Sequence, residues 1–195
     1  ICGCGNQGRI QLRALRKIRP LERAYAFDRD EEKAERFARE LSRELEIDVR
    51  PVRDLSEAVR RSDICVTCTP SKRYFLKRQD VAPGTFIAAV GADNPEKQEL
   101  DPELMASSKI VVDLLEQCAT IGDLRHALER GLLTREDVHA ELAEVVSGRK
   151  PGRTSAEETI IFDSTGTALQ DVAAAALVYE KALTAGRGVA MNLSG

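Results

Sequence analysis

A glycine-rich turn, Gly3-Cys4-Gly5-Asn6-Gln7-Gly8, is the segment of this 195-residue chain whose residue types and spacing point most directly to chemistry. It fits the pattern G-x-G-x-x-G, with apolar residues before it and a helical pattern after it. Glycines in this pattern allow a tight turn, let the backbone approach a pyrophosphate and let the helix pack close to the strand. The free N–H groups and the dipole of that helix favour a bound phosphate. Because glycine turns also serve structural ends, this one alone is weak evidence for a dinucleotide site.

An acidic residue strengthens the prediction of a dinucleotide site. Asp28 ends the run Arg23-Ala24-Tyr25-Ala26-Phe27, about twenty residues beyond the turn, where an acid can bind a ribose 2′-hydroxyl. A carboxylate there repels a 2′-phosphate, so NAD is favoured over NADP, although the neighbouring Arg29 softens that preference. The alternative is that Asp28 caps the charged helix expected to start near Asp30.

Alternating apolar runs and amphipathic stretches predict the scaffold that positions these residues. Strands are expected at 23–27, 47–52, 64–68, 86–90, 110–112 and 159–162. Helices are expected after the glycine turn, from Asp30, after Asp54, and at 124–128, 138–146 and about 168–182. The alternation predicts an α/β fold, a Rossmann-type doubly wound parallel sheet.

Composition excludes several classes of function. The net charge of −3 gives no basic field for nucleic acid or an anionic membrane. The apolar stretch Ala173–Val178 is far too short to span a bilayer. The five cysteines, an odd number lying mostly in apolar runs, indicate buried thiols in a reducing compartment. We therefore expect a cytoplasmic protein.

The start of the chain lies almost inside the motif. Only Ile1 and Cys2 precede Gly3, whereas a phosphate-binding glycine turn normally follows a complete β-strand. We expect that the first strand is truncated and that the natural protein has residues before Ile1.

Other reactive residues are better explained by packing. Cys65 and Cys68 have C-x-x-C spacing, but no second pair follows at zinc-ribbon spacing and the run between them is typical of a buried strand. His139 begins half of a zinc-deaminase signature whose second half is absent. His126 and His139 both fall on expected helices. No metal site is predicted.

Several segments together resemble the ornithine cyclodeaminase/mu-crystallin family. They are Gly5-Asn6-Gln7-Gly8-Arg9 with Gln11-Leu12, Val66-Thr67-Cys68-Thr69-Pro70-Ser71, Ala89-Val90-Gly91-Ala92-Asp93 with Lys97-Gln98-Glu99-Leu100, and Phe162-Asp163-Ser164-Thr165-Gly166. The resemblance covers nearly the whole chain, and this ordered set is far more specific than the glycine turn. The family includes ornithine and lysine cyclodeaminases, archaeal-type alanine dehydrogenases and ketimine reductases, which move a hydride between a nicotinamide and the α-carbon of an amino or imino acid.

The resemblance implies roles for individual residues. Asn6, Gln7 and Asp28 would contact the cofactor's pyrophosphate and adenosine ribose. The rest of the cofactor groove would be lined by Thr69, Val90, Gly91, Lys97 and Ser164. Asp93 would be the acid beside the reacting carbon, where it handles a proton or orients a water.

The position of Asp93 agrees with the resemblance but has a simpler explanation too. Asp93 follows the expected strand 86–90, and ligands in open α/β sheets bind outside the carboxyl ends of strands. Hydride transfer from an amine carbon needs a base for the accompanying proton, and a partly buried aspartate suits that task. The alternative is that Asp93-Asn94-Pro95 forms an ordinary turn.

The resemblance also implies how the chain is organised. Residues 1–164 would form the NAD(P)-binding domain, and residues 165–195 a helical segment returning to an N-terminal dimerisation and substrate domain. That domain precedes the glycine turn in the family and carries its substrate-gripping Arg and Lys, so we expect an incomplete active site here. The whole protein is expected to be a homodimer.

These features predict an NAD-dependent oxidoreductase or cyclodeaminase acting on a small amino or imino acid. Within the family, the overall resemblance of residues 89–100 favours alanine dehydrogenase or ketimine reductase chemistry over ornithine cyclodeaminase chemistry. The rival hypothesis is a non-catalytic dinucleotide-binding module, such as a sensor or a storage protein. Turnover by the wild type and its loss in Asp93→Ala would separate the two.

Overall fold

A computed structural model describes residues 1–189 and 191 of the chain. It contains two compact units, the first formed by residues 1–165 and the second starting at Gly166.

The first unit alternates strands and helices along the chain. Its helices are α1 (Asn6–Ile18), α2 (Glu31–Leu45), α3 (Leu55–Arg60), α4 (Pro102–Ala106), α5 (Leu115–Ile121), α6 (Asp123–Glu129) and α7 (Leu142–Val146). Its strands are β1 (Arg23–Ala26), β2 (Asp48–Pro51), β3 (Ile64–Thr67), β4 (Lys72–Leu76), β5 (Phe86–Ala89), β6 (Gln98–Leu100), β7 (Lys109–Val112), β8 (Ala140–Glu141) and β9 (Ile160–Asp163). The second unit contains α8 (Ala168–Thr184).

The central sheet is parallel throughout. Five strands lie in the order β3-β5-β9-β7-β8, and β1 pairs separately with β2. Cys2 forms parallel bridges to Phe27 on one side and to Thr67 on the other, so it lies between the β1-β2 pair and the five-stranded sheet. The expected α/β fold of Rossmann type is confirmed, since parallel neighbours here are joined by helical connections.

Helix α2 shows how the sequence pattern becomes packing. Its buried face is Ala34, Phe37, Ala38 and Leu41, the spacing that places side chains on one side of a helix. This face packs in one core with Leu12 of α1. Asp30 is the N-cap, because its carboxylate accepts a hydrogen bond from the N–H of Lys33 at 3.1 Å. The alternative that Asp28 caps this helix is therefore wrong.

Helix α1 turns a narrower face inward than its apolar residues suggest. Gly8 and Leu12 are buried, whereas Ile10 and Ile18 are exposed. Gly8 lies against Gly3 and Ile1, and this close approach turns the side of α1 that carries Gly8 and Leu12 inward.

The expected helix at 138–146 is wrong in its first half. Ala140 and Glu141 form β8, which pairs with Val111 and Val112 at the edge of the sheet. The N–H of His139 donates to the carbonyl of Ile110 at 2.9 Å, so His139 does not lie on a helix. Hydrogen bonds offered by the sheet edge outweigh the helical periodicity of this short segment.

A small sheet lies outside the predicted pattern. Strands β4 and β6 pair in parallel, and their residues Leu76 and Leu100 are fully buried in the main core.

In the described part of the chain, none of the helices has the length and apolar character required to cross a bilayer.

Candidate functional site

The residues expected to do chemistry lie together at the carboxyl ends of the sheet's strands. Each follows the carboxyl end of a parallel strand, and those ends lie on the same side of a parallel sheet. Asp28 follows β1, Thr69 follows β3, Val90 and Gly91 follow β5, and Ser164 follows β9.

The glycine turn has one position that the protein itself does not fill. A Cβ on Gly3 would lie 2.7 Å from the carbonyl oxygen of Cys68, and one on Gly8 would lie 2.2 Å from the carbonyl oxygen of Gly3. Gly3 also has φ of +106°, a backbone conformation that favours glycine. Around Gly5, by contrast, no described atom beyond its two chain neighbours lies within 4 Å of such a Cβ. Packing therefore explains the first and third glycines, and the second leaves open space for a ligand.

The amino terminus of α1 adjoins that space. Gly5 is the N-cap and provides no side-chain hydrogen bond, and the first turn of α1 carries no acidic residue. Asn6 and Gln7 are both exposed there. The N–H groups of this turn are thus arranged to receive an anion.

Asp28 is fixed beside the glycine turn. Its carboxylate accepts hydrogen bonds from the N–H of Cys4 at 2.9 Å and the N–H of Asp30 at 3.1 Å, and it pairs with Lys33 Nζ at 3.0 Å. Burial raises the pKa of Asp28, but the hydrogen bonds from Cys4 and Lys33 together bring that pKa below its ordinary value. Asp28 is an oriented carboxylate at the end of β1, and Arg29 beside it is exposed.

Asp93 and Lys97 form an ion pair in the loop after β5. Lys97 Nζ lies 2.7 Å from Asp93 Oδ1. The Asp93 side chain is 53% exposed, so the expectation that it is partly buried is wrong for this chain. The carbonyl of Lys97 is held by Nε2 of His126 at 2.9 Å, which ties the loop to α6.

Two further segments at these strand ends are held by buried carboxylates that the sequence analysis overlooked. Glu99 accepts hydrogen bonds from the N–H and the hydroxyl of Thr69 at 2.6 and 2.7 Å and from the N–H of Gly91 at 3.0 Å. Asp113, which follows β7, accepts from the hydroxyl of Ser164 at 3.0 Å and from the N–H of Thr165 at 2.9 Å. These acids fix the segments that carry three predicted site residues.

A second layer of acids lies beneath the first. Asp123 accepts hydrogen bonds from the N–H groups of Glu99 and Leu100 at 2.8 and 3.0 Å, and Asp163 accepts one from the N–H of Leu124 at 2.9 Å. Both acids are fully buried. Burial raises the pKa of Asp163 to about 7 and also raises the pKa of Asp123. In the sequence, Asp163 directly follows the apolar strand expected at 159–162, and an acid at that position was the available signal.

The cysteines near the turn are packing residues in this structure. Cys65 is buried with its Sγ 3.9 Å from Sγ of Cys2, and the thiol of Cys68 donates to the carbonyl of Gly3 at 3.3 Å. Burial raises the pKa of Cys68 and of Cys4 to about 12 in each case. Within the described residues, no group of His, Cys, Asp and Glu side chains is arranged to hold a metal ion.

Comparison with known proteins gives consistent matches along the chain. Alanine dehydrogenase of Archaeoglobus fulgidus is 45% identical over 183 residues, which cover 93% of this chain and 56% of that protein. The solved complex of Thermococcus litoralis Δ(1)-pyrroline-2-carboxylate reductase with NADH and L-proline matches with a TM-score of 0.94 and 36% identity, over 97% of this chain and 59% of that one. An archaeal alanine dehydrogenase dimer with bound NAD matches with a TM-score of 0.94 and 43% identity, over 98% of this chain and 59% of that one.

The chain thus spans 56–59% of the length of these relatives. The sequence profile of the ornithine cyclodeaminase/mu-crystallin family matches residues 1–186. The family resemblance expected from the sequence is confirmed, and the chain belongs to the ornithine cyclodeaminase/mu-crystallin family.

Proposed function

We propose that this chain is the nicotinamide-dinucleotide-binding part of an NAD-dependent oxidoreductase that acts at the α-carbon of an amino or imino acid. The observation that carries the proposal is the glycine turn, in which Gly5 faces open space beside the uncapped amino terminus of α1. A pyrophosphate fits this arrangement, because it needs backbone N–H groups, a favourable helix dipole and room to approach.

The glycine turn is proposed to bind the pyrophosphate of the cofactor. Gly3 and Gly8 shape the turn, Gly5 lets the pyrophosphate approach, and Asn6 and Gln7 present the first N–H groups of α1. Because the first turn of α1 has no acid to compete, the phosphate charge is not repelled there.

Asp28 decides between NAD and NADP in this proposal. Its carboxylate is held in place by Cys4 and Lys33 and retains acceptor capacity for a ribose hydroxyl. A 2′-phosphate would approach the same negative charge and be repelled. Lys33 and the exposed Arg29 weaken that repulsion, so we expect a preference for NAD and not an absolute exclusion of NADP.

The nicotinamide end falls to the loops after β3, β5 and β9. The residues proposed to line it are Thr69, Val90, Gly91, Lys97 and Ser164. The hydroxyls of Thr69 and Ser164 already donate to Glu99 and Asp113, so these two residues offer the cofactor oxygen acceptors and backbone groups.

Asp93 is proposed to manage the proton. Conversion of an α-amine to an imine removes a hydride from carbon and a proton from nitrogen. A bound nicotinamide would supply the hydride acceptor, and the Asp93 carboxylate would receive the proton directly or through a water. Lys97, 2.7 Å away, orients that carboxylate.

The proposal extends to the whole protein. The related enzymes named above act on or bind small amino and imino acids, which supports alanine dehydrogenase or imine reductase chemistry over a storage role. Helix α8 exposes a set of apolar side chains suited to packing on a substrate and dimerisation domain: Leu169, Val172, Leu177, Val178 and Leu183. The whole protein is proposed to be a homodimer. A cytoplasmic location is also proposed, because free cysteines are typical of a reducing compartment.

Steady-state turnover of the whole protein tests the catalytic part. With L-alanine and NAD, or a cyclic imino acid and NADH, we expect Asp93→Asn to lower kcat by about 100-fold or more while the Kd for NADH changes less than about threefold. Glu96→Gln is the matched control, because Glu96 is an exposed acid of the same loop that pairs with Lys72. Unchanged kcat in Asp93→Asn, or no turnover by the wild type on any amino or imino acid, would contradict the proposal.

A further inference from the structure

Glu99 is a buried acid that joins two strand ends. Its side chain is fully buried on β6, outside the five-stranded sheet. Oε1 accepts the N–H and the hydroxyl of Thr69, and Oε2 accepts the N–H of Gly91. One carboxylate oxygen therefore holds the segment after β3, and the other holds the segment after β5.

The hydrogen bonds from Thr69 and Gly91 to Glu99 begin where the hydrogen bonding between β3 and β5 stops. The register of β3 and β5 ends at Thr67 opposite Ala89, and the last ladder bond runs from the N–H of Val90 to the carbonyl of Thr67 at 2.9 Å. Beyond that point, the N–H groups of Thr69 and Gly91 turn to Glu99. Ligands in open α/β sheets bind outside the carboxyl ends of the strands, so this carboxylate fixes backbone that a ligand bound there would meet.

The close approach of the Glu99 carboxylate to the backbone requires glycine at position 91. A Cβ there would lie 2.4 to 2.5 Å from three atoms of the Glu99 carboxyl group. No larger residue permits this approach without moving a carboxylate that is held on both oxygens.

Glu99 also closes the loop that carries the proposed catalytic acid. Asp93 follows Gly91 by two residues and Lys97 precedes Glu99 by two, so the bond from Gly91 to Glu99 ties both ends of this loop together. Asp123 fixes the backbone of Glu99 from beneath. The loop's own ion pair between Asp93 and Lys97 is then held at a defined place relative to Thr69.

We propose that Glu99 is a positioning residue for the nicotinamide half of the cofactor, acting through Thr69 and through the loop that bears Asp93 and Lys97. This inference rests on the proposed function. The N–H groups of Thr69 and Gly91 require an acceptor on each carboxylate oxygen, so the ionised carboxylate fits, and Gln would place its N–H₂ group against one of these N–H groups. Burial raises the pKa of Glu99 above its ordinary value, and the hydrogen bonds from Thr69 and Gly91 oppose part of that rise.

Paired titrations of Glu99→Gln with NADH and with ADP-ribose, followed by calorimetry, test the assignment. ADP-ribose contains the phosphates and the adenosine but lacks the nicotinamide. We expect NADH affinity to fall at least tenfold and ADP-ribose affinity to change less than about twofold, with a red-shifted fluorescence of bound NADH as its ring becomes more solvated. Asp80→Asn is the matched control, because Asp80 is a buried acid that accepts hydrogen bonds from Ser56 and Lys77 and none from the segments after β3 and β5.

Gly91→Ala provides an independent variant if Glu99→Gln does not fold, since its Cβ displaces the carboxylate, and the same split between NADH and ADP-ribose is expected. Unchanged NADH affinity in a folded variant would overturn the positioning role. Equal weakening of both ligands would also overturn it, because it would reveal a general structural effect. Failure of the wild type to bind either ligand would instead refute the proposed function, and this inference with it.

Discussion

Alanine substitutions at Gly5 and Gly8 are predicted to damage different properties of the protein. The two glycines belong to one turn and receive the same added methyl group. At Gly5, φ is −86° and the new Cβ meets no described atom within 4 Å beyond its two chain neighbours. At Gly8, the new Cβ would lie 2.2 Å from the carbonyl oxygen of Gly3 and 3.0 Å from Cγ2 of Ile1.

The magnitudes follow from those contacts. Gly8→Ala forces backbone atoms apart at the contact between α1 and the turn, and overpacking of this kind costs about 1–3 kcal/mol or more. Gly5→Ala strains no backbone angle, so the free energy of unfolding is expected to stay within about 1 kcal/mol of wild type. Its methyl group instead occupies the space for the pyrophosphate. Loss of one charge-assisted hydrogen bond there, about 1.5–3 kcal/mol, weakens NADH binding by about 10- to 150-fold.

Urea unfolding and NADH titration of both variants provide the assay. Gly8→Ala should unfold at a lower urea concentration, and Gly5→Ala should unfold like wild type but bind NADH weakly. Wild-type NADH affinity in Gly5→Ala would refute the reasoning that the second glycine exists for a ligand. Wild-type stability in Gly8→Ala would refute the packing argument for the third.

The remaining predictions concern stability. Leu12→Ala removes a fully buried side chain and should lower the free energy of unfolding by about 2–5 kcal/mol, whereas Ile10→Ala, on the exposed side of the same helix, should change it by less than about 0.5 kcal/mol in urea unfolding. Burial raises the pKa of Asp163 to about 7, so the folded state binds the proton more tightly than the unfolded state. Stability should therefore decrease as the pH rises from about 4 to about 7, and Asp163→Asn should flatten that dependence in thermal unfolding. A wild-type slope of opposite sign would contradict the account of the buried acids.

Local pattern was enough to predict much of the scaffold. The strands at 64–68 and 86–90 are near-continuous apolar runs, the pattern typical of strands that are covered on both faces of a sheet. The buried face of α2 follows from its spacing alone. The glycine turn and the acid after β1 were recognisable because their spacing along the chain mirrors a fixed geometry in space.

The features that sequence reasoning missed depend on partners distant along the chain. Strand β8 exists because the edge of β7 offers it hydrogen bonds, and its two residues carry no pattern of their own. Glu99 is separated by 30 residues from Thr69, so no local signal shows that it joins two strand ends. The exposure of Asp93 likewise depends on how the loop after β5 is held, not on the residue types within it.

The measurement that tests the central claim most directly is calorimetric titration of this chain with NADH and with NADPH, for the wild type and for Asp28→Ala. We predict saturable binding with at least about a tenfold preference of the wild type for NADH, and loss of that preference in the variant. Absence of binding to either dinucleotide, or an unchanged preference in Asp28→Ala, would contradict the assignment of the glycine turn and Asp28 as a cofactor site.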